Sequence, residues 1–179
     1  MNLKKVNEEV FIALDPIVRI GDEEMAFLKT QAQANPRKRA RICAHRTNDD
    51  ALHEMIIAIS AASYIHPHRH PGKSESFHVI EGEVDVVVFD DAGAIVEVIE
   101  LGAAGPGRKF YYRLSESAFH TLLIRSDFLV VHEVTNGPFA RDRTVLAPFA
   151  PPEDQSDEAR GYVADVLGRV ARLRRFRQS

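Results

Sequence analysis

The run His68-Arg69-His70, followed by Glu75 and then by Gly82, constrains this chain more than any other stretch. In an extended segment alternate side chains share a face, so His68 and His70 aim their imidazoles at one point while Arg69 turns away. Pro71, Gly72, Lys73 and Ser74 then reverse the chain, and Glu75 enters a second strand able to face the same point. Gly82 falls where a tight turn needs positive φ before the next strand, expected over Glu83–Phe89. Two imidazoles and a carboxylate on a stiff sheet suit a first-row metal, with positions left for water or substrate. His66 shares the parity of these histidines, but Pro67 interrupts the strand, so His66 is read as a neighbour of the site.

Short strands dominate residues 41–134, including 54–64 and 95–101, with 90–93 as a hairpin turn. In Glu83–Phe89 the residues Val84, Val86 and Val88 alternate with Asp85, Val87 and Phe89. Both faces of that strand are therefore expected to be covered, the second by an added layer such as a partner subunit. Asp22 opens a helix with Glu23 and Glu24 in its first turn, favourable at the positive end of the dipole. It should end near Asn35-Pro36, because proline disfavours helical geometry in the preceding residue. A Pro-rich connector over 147–152 leads to a final helix over 157–175, striped by Val163, Val166, Leu167, Val170 and Leu173.

His68, His70, Glu75 and Gly82 have the spacing of the first cupin motif. Further marks are the run from Pro36 to Arg41 leading to His45, then Leu52-His53-Glu54-Met55, Pro67 to Lys73, and Glu75-Ser76-Phe77-His78. Gly137-Pro138-Phe139 and the run from Ala147 to Pro151 follow in order. On these residues the chain resembles the cupin superfamily and, within it, the WbuC family of cupin-fold metalloproteins, over most of its length. The resemblance implies a mainly β protein: a cupin double-stranded β-helix, or jelly roll, with an N-terminal helical extension and a C-terminal amphipathic helix. It divides the chain into an extension at 1–41, a barrel at 42–148, and a connector with helix at 149–179.

The same resemblance implies a second histidine on a later strand, after a Pro-x-Gly turn. His120 is the candidate, although Ser115 and Ser117 stand in place of that Pro and Gly, and Ile124 replaces the trailing Asn. His120 shares its face with Leu122 and Ile124, an apolar face expected to point into the barrel. Its rival, His132, follows a turn at Ser126-Asp127 and carries no motif. The implied ligand set is His68, His70, Glu75 and His120 around one divalent ion, with zinc, iron, manganese and nickel all open.

The length of 179 residues and 45% apolar content suffice for one domain with its own core. Net charge is −3 and the pI about 6.2, which gives no overall pull toward nucleic acid or membrane. Five arginines, Arg169, Arg172, Arg174, Arg175 and Arg177, crowd the end of the last helix. The helix dipole accounts for cations there, and no aromatic interleaving accompanies them, so no nucleic-acid partner is expected. The single Cys43, the lack of a signal-peptide core and the lack of a membrane-length apolar run point to the cytoplasm. The two-sided strand and the helical stripe suggest a homodimer.

Arg37, Lys38, Arg39 and Arg41 lie close to His45, and Lys73 sits in the metal hairpin. A cationic rim of Arg37, Arg39, Arg41, His45 and Lys73 would suit a small anionic substrate: a carboxylate, a sugar phosphate or a sugar nucleotide. The WbuC resemblance implies a carbohydrate and a link to surface polysaccharide biosynthesis. A metal with open positions polarises a carbonyl, binds an enediolate or activates water, and iron would add oxygen chemistry. His45, His53, His66 and Tyr64 are candidate proton carriers, and spacing singles out none of them. The function expected is a metal-dependent enzyme, isomerase- or epimerase-like or oxygenase-like. The alternative is a non-catalytic metal-dependent binding or sensor protein, and the chain carries no helix-turn-helix pattern to support it.

Overall fold

A computed structural model describes residues 1–138 and 143–178, with C-terminal side chains described as far as Phe176. Phe139 of the 137–139 motif and the side chain of Arg177 therefore lie outside the described residues. The chain runs β1 (Leu3–Lys5), β2 (Val10–Ala13), α1 (Asp22–Ala34), β3 (Arg39–Cys43), β4 (Leu52–Ser60), β5 (His68–Arg69) and β6 (Glu75–Glu81). It continues through β7 (Glu83–Phe89), β8 (Ile95–Gly102), β9 (Tyr111–Leu114), β10 (Phe119–Ile124), β11 (Phe128–Asn136), β12 (Val145–Leu146) and α2 (Ser156–Gln178).

The described strands make two sheets, ordered β1-β2-β3-β4-β11-β6-β9 and β12-β5-β10-β7-β8. Strands distant in sequence are neighbours in each sheet, β4 beside β11 and β5 beside β10, while β6 and β7 lie in opposite sheets across the Gly82 turn. That interleaving is the jelly roll, and the fold is the cupin double-stranded β-helix. Gly82 has φ +86, and a Cβ there would collide with the Phe128 carbonyl oxygen, so a side chain at this turn is excluded on both counts.

Three apolar clusters follow from strand parity. Between the sheets lie Met55, Ile57, Phe77, Val79, Leu122 and Val131, with others of the same faces. Outside the first sheet, Ala58, Val130 and Ile42 pack under Leu28 and Ala32 of α1. Outside the second, Val87, Phe89, Phe119 and Leu123 pack under Val166 and Val170 of α2. The added layer expected over β7 is thus the chain's own C-terminal helix.

Local chemistry sets the helix ends. The backbone N–H of Gly21 donates to the Glu24 carboxylate at 3.0 Å, closing the start of α1. At its other end the amide of Asn35, only 2% exposed, donates to Gln31 O at 2.9 Å and Arg39 O at 2.7 Å, welding the helix to β3. The sequence reading had one helix in residues 1–41; the structure adds β1 and β2, which extend the first sheet through a parallel β2–β3 pairing. Strand β3 straddles the boundary drawn at residue 41 and is part of the barrel wall. Among the described residues, no helix is long and apolar enough to cross a membrane.

Candidate functional site

The hairpin, the β10 pairing and β6 bring His68, His70, His120 and Glu75 together between the two sheets. His68 stands directly opposite His120 across the β5–β10 ladder, with ring centroids 4.7 Å apart. His70, just beyond β5, has its ring 4.9 Å from His68 and 6.2 Å from His120. Glu75 opens β6 on the facing sheet and is 5% exposed. Its Oε1 lies 2.9 Å from His120 Nε2 and accepts a hydrogen bond from the Tyr112 hydroxyl at 2.9 Å; its Oε2 is 3.6 Å from His70 Nε2. The four side chains thus meet as one cluster, in which His120 and Glu75 are within hydrogen-bond distance. Among the described residues, no three His, Cys, Asp or Glu side chains are set around one point at metal-ligand geometry.

Each imidazole is oriented through its other nitrogen. His68 Nδ1 is 2.8 Å from the carbonyl of His66, His120 Nδ1 is 3.0 Å from that of Ala118, and His70 Nδ1 is 3.3 Å from the Thr144 hydroxyl. A carbonyl only accepts, so Nδ1 of His68 and of His120 carries hydrogen, which turns Nε2 toward Glu75. His66 serves the site by its backbone. Its ring is turned away, with Nε2 donating to Ala147 O at 3.1 Å.

Electrostatics divide the cluster. Burial, reinforced by the neighbouring His120, pushes the His68 pKa down to about 4, and burial likewise lowers that of His70. Burial alone would raise the pKa of Glu75, yet His120, by charge and hydrogen bond, with His68 and His70, holds it down to about 2. Burial disfavours a charged His120, but the charge of Glu75 and its hydrogen bond prevail and raise its pKa. Glu75 thus stabilises the charged form of His120, while burial holds His68 and His70 toward the neutral form.

Strand register places a second carboxylate on the barrel wall. Cys43, Met55, Glu133, Phe77 and Tyr112 form one row across β3, β4, β11, β6 and β9. Glu133 has the parity of Leu129 and Val131, which face the interior. Burial and the charge of Glu75 raise its pKa to about 7, against the opposing pull of Arg41 and His120. The next row toward the end of the sheet holds His53, Thr135 and Glu75. His53 is 3% exposed, stacks on His45 at 4.0 Å, and its buried Nε2 has no partner among the described residues. Glu133 was missed in the sequence, although its alternation with Leu129 and Val131 was the signal for it.

The basic residues separate. Arg41 has the inward parity of Cys43 and extends along the wall to Met55, with Nη1 3.8 Å from Sδ. His45, stacked on His53, also borders this region and accepts the Glu54 N–H at 3.2 Å. Lys73 donates to the carbonyl of Pro138 at 2.7 Å. Arg37 and Arg39 are not brought to the cluster: they pair with Glu153 of the connector, each at 2.8 Å, and with Glu9 at 3.0 and 3.9 Å. Arg39 lies beside Ile59, toward the far end of β4 from Glu75. Of the other proton carriers, Tyr64 donates to Pro151 O at 2.9 Å. His132 falls on the outer parity of β11, 3.7 Å from Glu54, and does not compete with His120. Arg69 points outward as expected, onto Phe119 and Asp91.

Residues 20–101, from α1 into β8, match a family model described as a domain of unknown function, DUF6016. No curated protein matches the sequence. Among solved structures, a protein from Shewanella oneidensis is 13% identical at a TM-score of 0.51, over 62% of this chain and 73% of that one. An uncharacterised conserved protein with a double-stranded β-helix domain from Klebsiella pneumoniae is 18% identical at a TM-score of 0.46, over 61% of this chain and 84% of that one. The formate complex of Lactobacillus farciminis oxalate decarboxylase is 20% identical at a TM-score of 0.43, over 54% of this chain and 27% of that one. At these identities the likeness is one of fold.

Proposed function

We propose that the protein is a cupin metalloenzyme acting on a small anionic, carbohydrate-type substrate, with one divalent ion held by His68, His70, His120 and Glu75. The observation that carries this is the convergence of three imidazoles and a carboxylate, with the far nitrogen of each imidazole already engaged. Three nitrogen donors and one oxygen donor fit a first-row divalent ion, and they leave its identity among zinc, iron, manganese and nickel open. The hydrogen bonds to the His66 and Ala118 carbonyls and to Thr144 would hold those donors in orientation. The proton between His120 and Glu75 would leave as the ion entered.

A bound ion supplies Lewis-acid polarisation of a substrate oxygen. The chain's own residues supply the rest. Tyr112 fixes Glu75, and Arg41, with His45 and Lys73 nearer the rim, offers positive charge to an anionic substrate. Glu133 adds a second carboxyl on the inner wall, one strand row from Glu75, within the same region as the cluster. The motif resemblance to the WbuC family supports a carbohydrate substrate and a role in surface polysaccharide biosynthesis. We take the protein to act in the cytoplasm as a homodimer.

Metal content after His70→Ala tests this reading. Purified wild type should hold close to one equivalent of a divalent ion, and the variant should lose it while keeping the circular dichroism of a folded barrel. Full metal content in the variant would remove His70 from the ligand set.

A further inference from the structure

Arg41 and Glu133 are opposite charges on the same inner wall, yet they do not pair. Among the described residues, Glu133 has no hydrogen-bond or ion-pair partner. Among the described residues the Arg41 guanidinium has one side-chain contact, the thioether of Met55 at 3.8 Å, and its charge acts on Glu133, His45 and Cys43. The two residues start from strands separated by β4, so their backbones stand about 10 Å apart and the side chains narrow that gap. Met55 and Ile57 of the intervening β4 line the interval with apolar surface. Partly buried charges without partners cost stability, and a folded chain keeps such a pair where a ligand completes it.

We propose that Arg41 and Glu133 are the substrate-reading pair of this barrel, Arg41 taking the carboxylate of a sugar acid and Glu133 hydrogen-bonding a hydroxyl of the same molecule. The proposal rests on the reading of the barrel as a substrate pocket and names the ligand class that reading left open. One guanidinium matches one carboxylate bidentately. Glu133, on the same inner wall as Arg41, repels a dianionic phosphate more than a monoanion, so a uronic acid suits this pair better than a sugar phosphate. The apolar side chains of Met55 and Ile57, between the two charges, would face the carbon skeleton of the ring.

The test is calorimetric titration of D-glucuronate, cyclohexanecarboxylate and glucose 6-phosphate into metal-loaded wild type, Arg41→Gln and Glu133→Leu. Wild type should bind glucuronate best. Arg41→Gln should weaken both carboxylates by about tenfold or more, the loss of a charge-assisted contact. Glu133→Leu, an apolar replacement beside Met55 and Phe77, should erase the preference for glucuronate over its hydroxyl-free analogue without weakening the analogue's own binding. The proposal is overturned if Arg41→Gln binds glucuronate as tightly as wild type, if wild type treats the two carboxylates alike or binds neither, or if it prefers the phosphate. Metal content is measured on each sample, and the titrations are repeated on chelator-stripped wild type. A wild type without metal that still discriminates between the acids would sink the metal reading and leave this pair standing.

Discussion

Glu133 acquires its character from the row it occupies and from the carboxylate one row away. Its pKa of about 7, against an ordinary 4.5, means that the folded protein holds this proton more tightly than the unfolded chain does. The associated stabilisation is present in full below about pH 4.5 and is lost as pH rises through about 7. Metal-stripped Glu133→Gln protein should therefore melt several degrees above wild type at about pH 8, and the gap should close near pH 4. Thermal melts at the two pH values check this, and equal midpoints at the higher one would mean that Glu133 is ionised there without strain. The candidate cluster was legible in part because three of its four residues, His68, His70 and Glu75, lie within one hairpin, whereas His120 comes from β10. Glu133 was not, because its setting depends on Met55 and Phe77, which reach it only through the strand register.

Helix α2 shows how far an apolar stripe specifies contact. Of the five stripe residues, Val166 and Val170 are buried at 0% and 1%, while Leu167 and Leu173 remain 39% and 38% exposed. The buried pair meets Val87, Phe89, Phe119 and Leu123, the outer faces of β7 and β10. Polar contacts fix the rotation of the helix. Arg174 bonds the buried Asp85 at 2.7 Å and Glu100 at 2.8 Å, and Arg169 donates to Gly93 O at 2.6 Å. Two of the terminal arginines are thus structural clamps. Val170→Ala, removing two methyl groups from a filled site, should cost about 2 kcal/mol by transfer and cavity terms, and Leu173→Ala less than half of that. Urea melts of the two variants check the assignment, and the reverse order would mean that α2 sits in a different rotation.

For the whole molecule, the β7 face that suggested a partner subunit is satisfied within the chain. The apolar surface left over lies elsewhere: Phe176 is 79% exposed and Leu173 lines a groove with Ile95, Arg169 and Arg172. If the homodimer forms, that end of α2 is where it should close, and sedimentation equilibrium should give about twice the chain mass of 20.1 kDa. Phe176→Asp should shift the mass toward the single chain. A wild-type monomer at micromolar concentration would defeat the proposal.

By itself the sequence determined the elements whose signals are short-ranged. Proline and acidic residues bounded α1 at Asp22–Ala34, alternation marked β7 at Glu83–Phe89, and the hairpin spacing aimed His68, His70 and Glu75 toward one region from two facing sheets. His120 was proposed from the second-histidine position of the cupin resemblance, with its apolar parity in support, and stands opposite His68 across the β5–β10 ladder. The tertiary structure alone decided which charges became clamps and which faced the interior. Arg37 and Arg39 are claimed by Glu153 from the connector, while Arg41, two residues on from Arg39, extends toward Met55 and the Glu133 row. The physical reason is that a side chain's partner across a jelly roll comes from a strand distant in sequence. Period and propensity fix which way a residue points, but only the closed barrel fixes what it meets.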